Sequence, residues 1–519
     1  MRKCAAHEWI SVFAYPRGRH VGSLGSPAGR RCGSPREIRN GVEVDAGVTR
    51  TGCPMTRAPF AVTMEARSDQ PAQCGLDAAP HQEKRSCVAE RRRSVKGVGA
   101  MDEQGNAEGL VREATRFSAE RPHWVRPSYD GFGLVNLPWS ILASLGGELE
   151  GQPVSPAIWP SELADGIEAV LLVIIDGLGY ERLQRALAEG ETPGLARLAR
   201  EGILFPLTSV FPSTTVAALT TLATGYPPSQ HGLLGFTVFL REFGMLSNLL
   251  LWSPLGRFPS YASLGLEPRS FLPVPTIAER AARAGIHATV VSPEAFRDTP
   301  LTKMQAAGAE FRGYRTPGEF VAQVHAALVR PGRQLVTAYW DTLDTLGHFV
   351  GPESAAWRIE FRQFDRLLAD ELLARLPRRN LLVVITADHG MVSLDPARQR
   401  PLTDPALLAE LRVPPAGERR AVYLHPVTGA EESVQARLTA LAGEDGWVSS
   451  RDELFAQGLF GPLPYHPEAL HRVGELVLIA VEGAGFPWDP PGASSRVFLG
   501  AHAGLEAVEQ LVPCLIWRP

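Results

Sequence analysis

The stretch "AVLLVIID", residues 169–176, runs seven apolar residues into an acid, and Gly177 follows at once. Apolar residues without polar alternation suit a strand covered on both faces, as strands inside a parallel sheet are. Outward from it, three more runs share this character: "HATVVS" (287–292), "QLVTAYWD" (334–341) and "LLVVITADHG" (381–390). Helical patterns stand between them. "TPGLARLAREG" (192–202) and "TIAERAARAG" (276–285) each begin on a threonine cap and stop at a glycine, and the first carries Pro193 in its opening turn. Alternating strand and helix make βαβ units, so the predicted fold class is α/β, a mostly parallel central sheet with helices on both faces. Upstream, "GLVNLPWSILASLGG" (133–147) predicts a short helix packed on that core.

Ligands of such sheets gather beyond the carboxyl ends of the strands. Asp176, Asp341, Asp344 and Asp388 all fall at or just past such ends, so one site can collect them.

A length of 519 residues leaves the domain count open, and 45% hydrophobic with 21% charged residues is an ordinary globular composition. No run of about 18 apolar residues exists to span a bilayer, and no membrane span is expected. The first hundred residues differ from the rest: 17 Lys+Arg against 9 Asp+Glu gives +8, leaving −12 for the remainder of a chain whose net charge is −4. Five of the six cysteines (Cys4, Cys32, Cys53, Cys74, Cys87) lie there and only Cys514 beyond, which excludes a disulfide-stapled core. The head has no C-x-x-C spacing for zinc, and its Arg91–Arg93 run has no aromatic residues interleaved to stack on bases, so no stable nucleic-acid partner is expected. Rich in Gly, Pro, Ser and Arg with little apolar periodicity, residues 1–115 read as a disordered extension, or as a stretch upstream of a start at Met101. They lack the apolar segment of a secretory signal, which makes the cytoplasm the expected location. Residues 116–519 read as the catalytic domain. Within it, 237–275 and 395–475 break the periodicity and are expected to be loop-rich insertions beside the site, able to act as a lid that selects substrate.

The acids have histidine company: Asp344 and His348 in "DTLGH", Asp388 and His389 in "ADHG", and His502 in "GAHAG". Carboxylate oxygen and imidazole nitrogen are what zinc takes, and six such residues with Asp176 suffice for two ions at three or four ligands each. Two divalent cations about 4 Å apart can hold the attacking and leaving oxygens of an in-line displacement at phosphorus. Singly, each motif has a plain structural use, as helix cap, turn or ion pair. Their joint occurrence at strand ends is the signal. In "FPSTTVAALTTLATGYPPSQHG" (211–232), hydroxyl residues precede a helical stretch, so a hydroxyl there points into the positive end of a helix, where amides bind phosphate oxygen. N-capping by Ser213 or Thr214 is the commoner use of such residues.

Assembled, these residues resemble the nucleotide pyrophosphatase/phosphodiesterase branch of the alkaline phosphatase superfamily, over about residues 165–505. The resemblance implies an alkaline phosphatase-like fold. It maps a metal-ligand aspartate onto Asp176 in "VIIDGLGY", the nucleophile onto Thr215 in "PSTT", and a loop-organising histidine onto His231 in "TGYPPSQHG". It implies Asp344, His348 and His502 on one zinc, and Asp176, Asp388, His389 and the Thr215 oxygen on the other. The implied activity is hydrolysis of a small-molecule phosphodiester or nucleotide pyrophosphate through a covalent phospho-threonine. Two features depart from the pattern: Ser213 replaces a threonine, and "HGLLGF" has Gly235 and Phe236 where the family offers an asparagine to the phosphoryl oxygen. Phosphomonoesterase and phosphonate hydrolase therefore stay as alternatives, Arg241 being one candidate to bind a dianion. No cysteine lies near Thr215 to serve as a sulfatase nucleophile. From another class, a catalytically silent metal-binding scaffold stays as a reading. The sequence leaves the oligomeric state open.

Overall fold

The computed structural model describes residues 100–256, 259–490 and 497–519, the side chains of 100–105 apart. Seven strands make the central sheet: β1 (Ala169–Ile175), β2 (Ile203–Thr208), β3 (His287–Pro293), β4 (Glu310–Tyr314), β5 (Gln334–Trp340), β6 (Leu381–Thr386) and β7 (Leu511–Trp517), in the order β2-β7-β6-β1-β5-β3-β4. Only β7 runs against its neighbours. The decisive stretch lies at the centre as β1, every residue buried, paired in parallel with β5 on one side and β6 on the other. Strands four and five places apart in sequence order thus become neighbours, and the carboxyl ends of β1, β5 and β6 sit side by side.

Most of the layer between strands follows local chemistry. Helix α1 (Ala100–Ala114) buries Ala107 and Val111 in the main core, so the last part of the extension expected over 1–115 is helix, while 1–99 lie outside the described residues. Helix α2 (Pro193–Glu201) starts on Pro193 as the sequence suggests, although the Thr192 hydroxyl makes no cap hydrogen bond. Helix α3 (Thr215–Thr224) ends at Gly225, whose φ of 74° is left-handed. Helix α4 (Ile277–Arg283) has a complete capping box, Thr276 accepting from the Glu279 amide at 3.0 Å and Glu279 from the Thr276 amide at 2.9 Å. Helix α5 (Thr342–Val350) follows β5 with one residue between.

Both expected insertions contribute strands as well as loops. Strands Thr237–Leu240, Met245–Asn248 and Ser253–Pro254 arise in the first; Ala416–Glu418, Ala421–Leu424 and Gly446–Ser450 arise in the second, with Leu476–Ala480 just after it. They join, through the pair Gly417 and Thr237, into one seven-stranded antiparallel sheet. Val238, Leu240, Tyr423, Val477 and Ile479 share a core beneath it. Each strand has five residues or fewer, too short for period-two alternation to register, and their partners lie far along the chain.

Candidate active site

Each expected residue owes its place to the end of an element. Asp176 follows β1 directly, and Asp388 comes two residues after the neighbouring β6 with His389 beside it. Asp344 and His348 lie one turn apart on α5, hence on one face. His502 follows a two-residue strand, Gly500–Ala501, which pairs with Val392–Ser393 and so ties its loop to that of Asp388. Gly177 permits the convergence: its φ is 75°, and a Cβ there would stand 3.0 Å from the Asp344 Cα.

All six side chains are buried and meet. His389 Nε2 is 3.5 Å from Asp176 Oδ1, 3.3 Å from Asp388 Oδ2 and 3.1 Å from Thr215 Oγ1. Asp344 Oδ1 is 3.4 Å from His348 Nε2 and 3.7 Å from His502 Nε2, and those two nitrogens are 3.2 Å apart. The lobes touch where the rings of His389 and His502 stack at 3.7 Å. Potential ligand atoms of Asp176, Asp388 and His389, and those of Asp344, His389 and His502, lie within 4.8 Å of one another. Asp341, also at a strand end, stands apart as the residue preceding α5 and lines the cavity described below.

The donors fit cations. Each imidazole turns Nδ1 to a backbone carbonyl, His348 to Gly500 at 2.9 Å, His389 to Gly390 at 2.9 Å and His502 to Ser213 at 2.8 Å. That places the proton on Nδ1 and leaves each Nε2 lone pair facing inward. Three carboxylate oxygens, Asp176 Oδ1, Asp344 Oδ1 and Asp388 Oδ2, are buried without a donor. Lone pairs thus face lone pairs, at separations near the edge of about 3.3 Å that a tetrahedron with 2.0–2.1 Å zinc bonds requires. The electrostatics agree. Burial, then the charges of Asp388 and Asp344, push the Asp176 carboxyl well up; burial and Asp388 do the same to Asp344. Burial depresses His348 to about 4 and, with His389 and His348 beside it, takes His502 well below its usual range.

Thr215 is the first residue of α3, and the helix start is open. Neither neighbour caps it: Thr214 donates to Glu418 Oε1 at 2.8 Å, and Ser213 donates to the Gly504 carbonyl at 3.1 Å. Three residues that sequence reasoning missed stand close. The Tyr339 hydroxyl donates to Asp176 Oδ2. Glu418, raised to about 7 by burial, also accepts the Phe236 amide at 3.0 Å. Arg419 lies 4.5 Å over the Phe498 ring and lines the same cavity. Tyr339 could have been found from its β5 position two residues before Asp341; Glu418 and Arg419 carry no local signal. Arg241 instead pairs with Glu468 and does not line the cavity, while His231 is held by Thr221 and Leu233 outside the cluster.

A cavity of about 410 Å³ opens from the cluster and runs along one face of the sheet. Its floor is Asp176 with one face of three strands: Ile174 and Leu172 of β1, Tyr339, Thr337 and Leu335 of β5, and Val290 and Ala288 of β3. Thr337 pairs with both Leu172 and Val290, so these mark the middle of the sheet. There Val290 and Thr337 are only half-buried, whereas Val173, Val291 and Ala338 on the opposite face are fully buried. Leu219, Leu222 and Ala223 of α3 form part of the roof.

Residues 170–502 match the family described as type I phosphodiesterase/nucleotide pyrophosphatase. Among curated proteins, ectonucleotide pyrophosphatase/phosphodiesterase family member 7 of Homo sapiens is 28% identical over 239 residues, 44% of this chain and 48% of that one. An uncharacterized pyrophosphatase/phosphodiesterase of Schizosaccharomyces pombe is 27% identical over 43% of this chain and 44% of its own. The chain thus spans about half the length of the curated relatives it matches. Among solved structures, murine ectonucleotide pyrophosphatase/phosphodiesterase 5 shares the fold with a TM-score of 0.53 at 20% identity, over 67% of this chain and 88% of that one. Phosphonoacetate hydrolase from Sinorhizobium meliloti shares it at 0.50 and 21% identity, over 67% and 89%. With this match across most of the folded part, the chain belongs to the type I phosphodiesterase/nucleotide pyrophosphatase family of the alkaline phosphatase superfamily.

Proposed function

We propose that this protein hydrolyses phosphate esters, phosphodiester or nucleotide pyrophosphate bonds above all, with Thr215 as nucleophile at a site for two divalent cations, zinc foremost. The observation that carries the reading is Thr215 Oγ1, 3.1 Å from His389 Nε2 at an uncapped helix start, beside buried carboxylate oxygens without donors. Asp176, Asp388, His389 and the Thr215 oxygen would hold one cation, and Asp344, His348 and His502 the other. Bound there, the cations would supply charge stabilisation to the attacking and leaving oxygens and lower the pKa of the hydroxyl. Tyr339 orients Asp176, and the carbonyls of Gly390, Gly500 and Ser213 hold the three rings in register. Thr215 Oγ attacks phosphorus in line and the leaving P–O bond breaks, with the open start of α3 facing the phosphoryl oxygens. Water then cleaves the phospho-threonine and restores the hydroxyl.

The cavity supports a narrower statement of substrate. Its apolar floor and roof suit an ester with an apolar group on one side of phosphorus, which would lie along the face of β1 while the phosphoryl group meets Thr215. The test is turnover, with zinc, of matched aryl phosphodiesters bearing short and long alkyl groups, beside an aryl phosphomonoester and a phosphonate. Faster turnover of the diesters, rising with alkyl length, supports both statements. Preference for the monoester or phosphonate would replace the diester reading, and no turnover of any would favour a metal-binding scaffold.

A further inference from the structure

Arg420 and Glu509 are a fully buried ion pair. The guanidinium meets the carboxylate through two bonds, Nε to Oε2 at 2.9 Å and Nη2 to Oε1 at 2.7 Å. Its remaining Nη1 donates to the carbonyls of Glu482 and Ala484 at 2.5 and 2.8 Å. Taking such a pair out of water costs several kcal/mol per ion, so the pair contributes little net stability compared with apolar residues of the same shape. Its partners point to another use.

Glu509 does more than receive Arg420. Its two oxygens also accept the amides of Gly504 at 3.0 Å and Glu506 at 3.2 Å, the loop that carries His502. That loop needs holding: Ala503, next to His502, has a φ of 105°, a strained value for a residue with a Cβ. It is also tied to the segment before Thr215, because the Ser213 hydroxyl donates to Gly504 O and accepts the Ala503 amide at 3.2 Å. Gly504 is required by the approach, since a Cβ there would stand 2.4 Å from Glu509 Oε1 and 3.3 Å from Arg420 Nη2. At the other end, Arg419 and Arg420 join strands Ala416–Glu418 and Ala421–Leu424 in a tight hairpin whose tip presents Glu418 and Arg419 to the cavity. One guanidinium therefore fastens the tip of the second sheet to the loop of a cluster histidine.

We propose that Arg420 is a positioning residue: through Glu509 it sets the 502–506 loop that presents His502, and it makes the hairpin a fixed wall of the site. For its effect on metals this rests on the two-cation reading; for its effect on the loop it does not. The experiment uses the full chain. Arg420→Met alone strands a buried carboxylate and is a folding risk, so the informative variant is Arg420→Met with Glu509→Gln, which removes both charges. The control is Arg472→Met with Glu242→Gln, an ion pair in which Arg472 is buried and Glu242 exposed, and whose guanidinium bonds Gly232 and Glu242 instead of the 502–506 loop. Zinc affinity is read by competition with a chromogenic chelator, and the loop by amide hydrogen exchange of the metal-free protein over 502–506. The clamp variant should bind one of its two zinc ions about tenfold more weakly, the low end of the range for losing an outer partner of a ligand because Arg420 and Glu509 act on His502 through its loop, and exchange faster at Gly504 and Glu506. The control should do neither. Parental exchange protection of the loop in the clamp variant, or an equal loss in the control, overturns the proposal. If the parent itself binds no zinc, the two-cation reading fails, and the exchange comparison alone decides for or against the clamp.

Discussion

His231 is the measure of a buried histidine that works without a cation. Its Nδ1 accepts the Leu233 amide at 3.1 Å and its Nε2 meets the Thr221 hydroxyl at 3.1 Å, so both nitrogens have protein partners. The cluster histidines differ: Nδ1 of each faces a carbonyl, the Nε2 atoms of His348 and His502 face each other, and Nε2 of His389 faces the Thr215 hydroxyl and two carboxylates. Burial depresses His231 to about 3. An unfolded histidine protonates near pH 6.5, so the unfolded chain binds more protons between pH 6.5 and 3, and stability falls as pH falls through that window. Acidification from pH 7 to 4.5 should cost about 3 kcal/mol through this ring. Denaturant unfolding at the two pH values checks it: His231→Gln, less stable at pH 7, should lose less on acidification, and an equal loss would speak against the assignment. The contrast also explains what was legible. Asp176, Asp344 and Asp388 could be read because strand ends place them by local rules, with His348 and His389 beside them, whereas His502 has no such signal of its own and Thr215, where N-capping is the commoner local reading, came from the family resemblance. Glu418 and Arg419 could not, because only the pairing of remote strands brings them in.

At the scale of elements, α3 does two jobs along its length. Its first turn, uncapped, presents Thr215, and its second and third turns roof the cavity with Leu219, Leu222 and Ala223. Ala223 is half-buried, with room beside it that a larger side chain would take. Ala223→Phe should raise KM for a long-chain alkyl aryl phosphodiester tenfold or more and leave the methyl analogue within twofold. Steady-state kinetics on the pair reads this, and equal changes for both would remove the cavity from substrate binding. Elements made by contiguous residues announced themselves: β1 as an apolar run, α4 as Thr276 with Glu279 three residues on. The second sheet did not. Ser253–Pro254 and Ala416–Glu418 have too few residues for a period, and Pro and Trp in those stretches read as loop.

Across the whole molecule, the donors come from residues 176, 344–348, 388–389 and 502, so any cation bound there cross-links four distant segments. Folding and metal binding are then linked, and zinc at a hundred times its dissociation constant should add about 2.7 kcal/mol. Thermal unfolding with excess zinc and after chelation checks this; identical melting temperatures would mean that the cluster holds no metal in the folded state. Likeness to known structures at about 20% identity carries the fold and stops there, so the chemistry rests on the cluster itself. The most direct measurement is rapid acid quench of the zinc-loaded protein turning over an aryl phosphodiester, followed by mass spectrometry of the peptide that contains Thr215. The phosphoryl group of the substrate should be found covalently on Thr215 during turnover, with no adduct and no turnover in Thr215→Ala, which still binds zinc. Turnover that survives Thr215→Ala would contradict Thr215 as the nucleophile.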